Sequence, residues 1–239
     1  MLMRPFYKAL TAGAVFAALI VAGVLFSSRS GQASNDNNGS QDEKRMIEIG
    51  LAVAASTGIQ LTMTGKDPDM VGLGSYLANV SGDCNGCHSA GPSTAFAPGG
   101  NPFLLPGAPP PRFNGTRRIN PLTYLGGGRS FGSFGPGAKG EIISRNLTPD
   151  STGRPEGNTL SDFKLIMRTG KDLDHDHPSC SATITTNCLS FPFNGDLLQV
   201  MPWPNFQDMT DRQLTALYVY LSAVPCLEGP AGEPPNRCK

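Results

Sequence analysis

Two thiols three positions apart with an imidazole directly behind them make Cys84-Asn85-Gly86-Cys87-His88 the stretch of this chain richest in chemistry. A Cys-x-x-Cys pair can close a disulfide, cycle as a dithiol or supply half of a zinc site, and with a following His it is also the signature of covalent haem attachment. Zinc is the poorer reading, because Cys87 and His88, adjacent in the chain, are awkward partners on one tetrahedral ion. A thioredoxin-like dithiol would sit in a βαβ pattern, and none surrounds the motif. Thioether bonds from Cys84 and Cys87 to the vinyl groups of one haem, with a ring nitrogen of His88 on the iron, employ all three side chains at this spacing. The motif therefore predicts a single covalently held haem c, anchored by Cys84 and Cys87 and ligated by His88.

An iron held from one side by histidine needs its other face assigned, and that choice separates electron transfer from ligand chemistry. Met201-Pro202-Trp203-Pro204 lies shortly before the last helical pattern. Its prolines fix φ and remove backbone donors, which stiffens the loop that carries the thioether. Methionine is commonly core filler, but this setting makes Met201 the expected second axial ligand beside His88. The rivals are His175 and His177, which flank Asp176 in a polar loop, together with Met167 and Met209, expected to be packing residues. Trp203, Tyr124 and Arg145 are candidate partners for the haem propionates.

Helical patterns are available to position these groups. Asp67-Pro68 suits a helix start, and Met70, Leu73, Leu77 and Val80 then recur at helical spacing up to the haem motif. Thr159 is a cap with Asp162 in the first turn, Leu160, Phe163, Ile166 and Met167 form an apolar stripe, and Gly170 is placed as the stop. Thr210 and Gln213 have capping-box spacing, Leu214, Leu217, Tyr218 and Leu221 form the buried face, and Pro225 ends the pattern. A short helix is also expected over Met46 to Ala55, weakened by Gly50. Between His88 and about Asn158 runs a Gly/Pro-rich segment from which no packed core can be read. Its dispersed Phe103, Tyr124, Leu125, Phe131 and Ile142 are what a loop wrapping a haem would carry.

The 239 residues suit one domain behind a targeting segment. Nineteen basic and nineteen acidic residues cancel, so no basic face points to nucleic acid. With 29 Gly and 21 Pro, irregular backbone should be abundant. Arg4 and Lys8 precede an uncharged run from Ala9 to Phe26, read either as a signal cleaved after Ala33 or as a retained membrane anchor. Both readings place the rest of the chain outside the cytoplasm. The four cysteines beyond the motif fit such a compartment, and sequence proximity pairs Cys180 with Cys188 and Cys226 with Cys238. The expected organisation is 1–33 signal or anchor, 34–68 linker with a short helix, 69–225 haem domain and 226–239 a disulfide-closed tail.

The helix ending in Tyr76-Leu77, the Cys84 to His88 motif, the Met201 loop and a last helix with Tyr218, Tyr220 and Leu221 resemble a monohaem class I cytochrome c domain. Ser144-Arg145-Asn146-Leu147-Thr148-Pro149-Asp150, Met201-Pro202-Trp203-Pro204 and Met209-Thr210-Asp211 are further similar to cytochrome c domains of bacterial membrane-associated dehydrogenase cytochrome subunits. The resemblance covers roughly residues 69–224. It implies an all-α, class I cytochrome c-like fold with a long Gly/Pro-rich loop insertion and an N-terminal hydrophobic helix or signal. It also implies His88/Met201 ligation and an electron carrier rather than an enzyme, periplasmic or tethered to the membrane by its N-terminus. Redox proteins would be its partners, a membrane dehydrogenase or oxidase among them. Two other readings are a haem subunit docked to such a complex and a haem catalyst or sensor with an open distal site.

Overall fold

The computed structural model describes residues 32–91, 93–105, 112–133, 140–229 and 237–239. The chain parts into two compact units, Met1–Lys44 and Arg45–Lys239. The N-terminal run from Ala9 to Phe26 lies outside the described residues. Among those described, no helix is long and apolar enough to cross a membrane.

Six α-helices lie among the described residues: α1 Gln32–Thr57, α2 Pro68–Tyr76, α3 Cys84–Cys87, α4 Leu160–Thr169, α5 Trp203–Phe206 and α6 Asp211–Leu221. A π-helical turn, Leu77–Ser81, continues α2. The segment 34–44, expected as a solvated linker, is instead the first part of α1.

The expected all-α, class I cytochrome c-like fold is not what is observed. About 34% of the described residues are helical, no strands are found among them, and the greater part of them lies in loops. The physical reason lies in the segment 88–159, rich in Gly and Pro, which is not an insertion carried outside a helical core. It supplies Ile119, Tyr124 and Leu125 to the same buried cluster as the helices. Isolated bridges, such as Ser130 with Ile143 and Lys171 with Leu197, hold these loops where a sheet or bundle would otherwise do so.

The helical part of the core is the crossing of α2 over α6. Val71 and Leu73 of α2 meet Leu214, Ala216, Leu217, Tyr220 and Leu221 in one buried cluster. Burying each large aliphatic side chain contributes about 1.5–3 kcal/mol relative to exposure. The axes come close because Gly74 has no side chain: a Cβ there would stand 2.0 Å from the Ala216 carbonyl oxygen. The caps read from the sequence are made. Asp67 accepts from the Asp69 amide, and Thr159 with Asp162 and Thr210 with Gln213 form reciprocal capping boxes. Helix α6 ends at Leu221 with Ser222 as cap, before Pro225 is reached.

Candidate functional site

Cys84 and Cys87 open and close the one-turn helix α3, entered through Asp83 in left-handed backbone geometry. Both residues between the thiols are held by the Gly-rich loop. Asn85 is buried and its Oδ1 accepts from the Leu125 amide at 2.9 Å, while Arg129 Nη1 donates to the Gly86 carbonyl at 2.5 Å. The Arg129 guanidinium also lies over the Phe131 ring, 5.1 Å from its centroid. The Gly127 amide donates to the carbonyl of His88 at 3.0 Å, and Gly128 and Leu147 tie this loop to the segment after Ser144. The motif is thus clamped by two stretches of loop, 125–129 and 144–147.

The second of those stretches orients the imidazole. His88 Nδ1 lies 2.8 Å from the Arg145 carbonyl oxygen. A carbonyl can only accept, so Nδ1 carries the proton and donates, and in the neutral ring Nε2 keeps its lone pair. Burial holds the His88 imidazole below its ordinary pKa, outweighing the carbonyl that favours the cation, so the neutral form is favoured. Burial, reinforced by the Asp83 carboxylate, pushes the Cys84 thiol up to about 12. Cys84 and Cys87 are free thiols, whereas Cys180 is bonded to Cys188 and Cys226 to Cys238.

A cavity of about 420 Å³ adjoins the motif, and Cys84, Cys87, His88 and Met201 all line it. That size falls within the range of small-molecule sites. Its walls are chiefly apolar, with Leu77, Leu147, Phe163, Leu217 and Leu221 among them. Met201 comes from the turn ahead of α5, where Trp203 donates its amide to the Met201 carbonyl at 2.8 Å. Of the rival ligands, Met167, Met209 and His177 also line the cavity; His177 Nε2 lies 3.1 Å from the Glu141 carbonyl. His175 is elsewhere, 3.7 Å from a carboxylate oxygen of Asp196.

One end of the cavity is polar. Arg145 lines it with Glu156, Asp172 and Asp176. Its guanidinium is 2.5 Å from Asp172, 3.0 Å from Asp176, 3.4 Å from Asp174 and 3.6 Å from Glu156. Burial alone would lower the Arg145 pKa; Glu156 and Asp172 overcome it and hold the group above its ordinary value. Of the three proposed propionate partners, Arg145 reaches the cavity and Tyr124 and Trp203 do not line it. Tyr124 turns its hydroxyl to Asn79 and Tyr220, and Trp203 donates Nε1 to the Leu198 carbonyl at 3.2 Å.

Asn85, Gly127 and Arg129 escaped the sequence reading. The run Gly126-Gly127-Gly128 was the signal that could have led to them, since consecutive glycines allow close approach of backbone to backbone. The arrangement brings two free thiols, one oriented neutral imidazole and several thioethers around an apolar volume. Comparison with protein-family models, with curated proteins and with solved structures finds no match to this chain.

Proposed function

We propose that this chain is an extracytoplasmic c-type cytochrome that passes single electrons between redox proteins through one haem. In this reading Cys84 and Cys87 form the thioethers, and His88 and Met201 are the axial ligands. The observation that carries it is the gathering of these four side chains, read from two stretches more than a hundred residues apart, around one apolar cavity beside free thiols. Two disulfides elsewhere in the chain suit an oxidising compartment.

When bound, haem iron supplies a one-electron couple between its ferrous and ferric states. The chain does the rest. The 125–129 loop holds both residues between the thiols, so that each sulfur is presented from a fixed turn. The Arg145 carbonyl fixes the imidazole rotation and keeps the Nδ1 proton, which leaves Nε2 as the donor. Leu77, Leu147, Phe163 and Leu217 keep water from the volume the cofactor would fill, and a dry site raises the potential of a haem couple. Met201 would supply its thioether as the second ligand from the same cavity wall, and with both ligands from the protein no substrate need bind.

The test is the optical spectrum of protein matured with haem in a strain competent for c-type assembly. Haem that resists acid–acetone extraction, a low-spin spectrum and the weak far-red charge-transfer band of sulfur-ligated ferric iron are expected. That band should vanish in Met201→Ala, and covalent haem should be lost when both Cys84 and Cys87 become Ala. A high-spin spectrum that shifts with cyanide would move the assignment to an open-site catalyst or sensor. Failure to retain any covalent haem would remove the proposal.

A further inference from the structure

The residues that orient His88 and those that carry Met201 come from separate loops, and the ion pairs of Arg145 with the 172–176 stretch join them. On the His88 side, Arg145 is fixed by its neighbours, with Gly128 donating to the Ser144 carbonyl at 2.8 Å and Leu147 to the Leu125 carbonyl at 2.8 Å. Its own carbonyl takes the His88 Nδ1 proton. On the Met201 side, the Asp172 amide donates to the Asp196 carbonyl and the Leu198 amide to the Gly170 carbonyl, both at 2.8 Å. Gly170 caps α4 at φ +68, and the Trp203 ring fills the place a side chain there would take, 2.2 Å from an added Cβ. Trp203 in turn bonds the Leu198 and Met201 carbonyls. Between these two assemblies stands Arg145 Nη2 with Asp172 Oδ1.

Four carboxylates approach Arg145, but their surroundings rank them. Side-chain exposure is 5% for Asp172, against 59% for Asp174 and 52% for Asp176. Glu156, the most distant at 3.6 Å, belongs to the loop before α4 and not to the Met201 side. Solvent weakens the pairs with Asp174 and Asp176, whereas the Asp172 carboxylate, 5% exposed, has Arg145 as its cation, and removing Arg145 strands that charge away from water.

We propose that the Arg145–Asp172 ion pair is a strap holding the Met201 loop against the cavity, which makes both residues positioning residues for Met201. The inference deepens the haem reading, since that reading gives the held methionine its role. Breaking the strap leaves the Gly170–Trp203 packing intact, and only the solvent-weakened pairs with Asp174 and Asp176 then tie that assembly to Arg145. The Met201 loop then opens as a unit.

The chain's single tryptophan, Trp203, reports on this loop without haem. Acrylamide quenching of Trp203 fluorescence in the haem-free protein is measured for Arg145→Met, Asp172→Asn and the double variant, with far-UV circular dichroism confirming folding. Each single change should raise the quenching constant severalfold. The double variant should be no worse than the singles, as residues acting as a unit are non-additive. Asp174→Asn should stay near wild type, and Arg145→Lys should recover most of the protection. In haem-loaded protein, the same two variants should bind added imidazole several times more tightly as the Met201 bond is displaced. Unchanged quenching in folded Arg145→Met and Asp172→Asn, or additive effects in the double variant, would overturn the strap. Wild type that takes up no haem would defeat the proposed function instead, and the quenching results would still decide whether the strap exists.

Discussion

At the scale of single residues, the buried polar groups are where the chain is most exacting. The Tyr124 hydroxyl donates to Asn79 Oδ1 at 2.6 Å and lies 2.6 Å from the Tyr220 hydroxyl. Asn79 Nδ2 reaches Tyr220 at 3.1 Å and the Ser75 carbonyl at 3.0 Å, and Ser75 continues to the Gly50 carbonyl at 2.7 Å. Burial, followed for Tyr124 by its neighbour Tyr220, raises both phenols above their ordinary pKa. The folded state therefore keeps protons that the unfolded state releases above about pH 10. Their contribution to stability is complete below that pH and is lost as pH rises through the folded-state values. The melting temperature of wild type should fall steeply above about pH 10, and that fall should be shallower in Tyr124→Phe. At neutral pH the same substitution should cost about 1–3 kcal/mol, because Asn79 loses a buried partner. Thermal melts across the alkaline range check both points, and a wild-type profile flat beyond pH 10 would refute the first. The thiols and imidazole of the motif were legible because their chemistry is written in five adjacent residues. Asn79, Asn85 and Arg129 were not, because the tyrosines that Asn79 reaches and the Leu125 and Gly86 backbone groups that Asn85 and Arg129 reach lie forty or more positions away, and such a polar contact leaves no periodic mark.

At the scale of elements, helix starts were the most legible feature. Asp67, Thr159 and Thr210 cap helices by local hydrogen bonds that need no tertiary context. The stripe through α2 was legible in part. Val80, counted with Leu73 and Leu77, is 47% exposed. The π-turn over Leu77–Ser81 inserts an extra residue per turn, so the phase slips and Asn79 reaches the tyrosines. The same elements show why α2 contains two glycines. Gly74→Ala would drive a methyl group into the Ala216 carbonyl, since an added Cβ falls 2.0 Å away, and backbone cannot yield cheaply there. Overpacking of this kind costs about 1–3 kcal/mol or more, so the melting temperature should drop by several degrees. Calorimetry of the variant tests this, and an unchanged transition would mean that α2 and α6 do not cross at Gly74.

At the scale of the molecule, the α-helical expectation failed because periodicity reports helices and is silent about loops that pack. Ile119, Tyr124 and Leu125 belong to the core, yet their surroundings in sequence are Pro, Gly and Asn. What holds such loops is covalent as well as packed. Cys180–Cys188 closes a turn within the stretch that leads to Met201, and Cys226–Cys238 ties down the tail. That tail also reaches back to the 146–151 stretch, where Leu227 accepts from Asn146 and Arg237 from the Ser151 amide. On the chain-entropy account each bridge contributes roughly 2–3 kcal/mol. Replacing either pair by serines should lower the melting temperature by roughly 5–10 °C. A shift under a degree for both pairs would show that the loops are held by packing alone.

The crossing of α2 over α6 has a consequence in time. It brings together residues about 140 positions apart, a closure that costs roughly 4 kcal/mol of chain entropy before its contacts repay it. Everything that surrounds the motif from Asn85 to Met209 lies inside that one closed loop. Gln213, Leu217 and Leu221, on α6 itself, complete the cavity wall. A chain that ends before α6 carries both thiols and the imidazole but lacks Gln213, Leu217 and Leu221 of the cavity wall. The cavity is therefore completed only when α6 crosses α2 and brings these three residues to its wall.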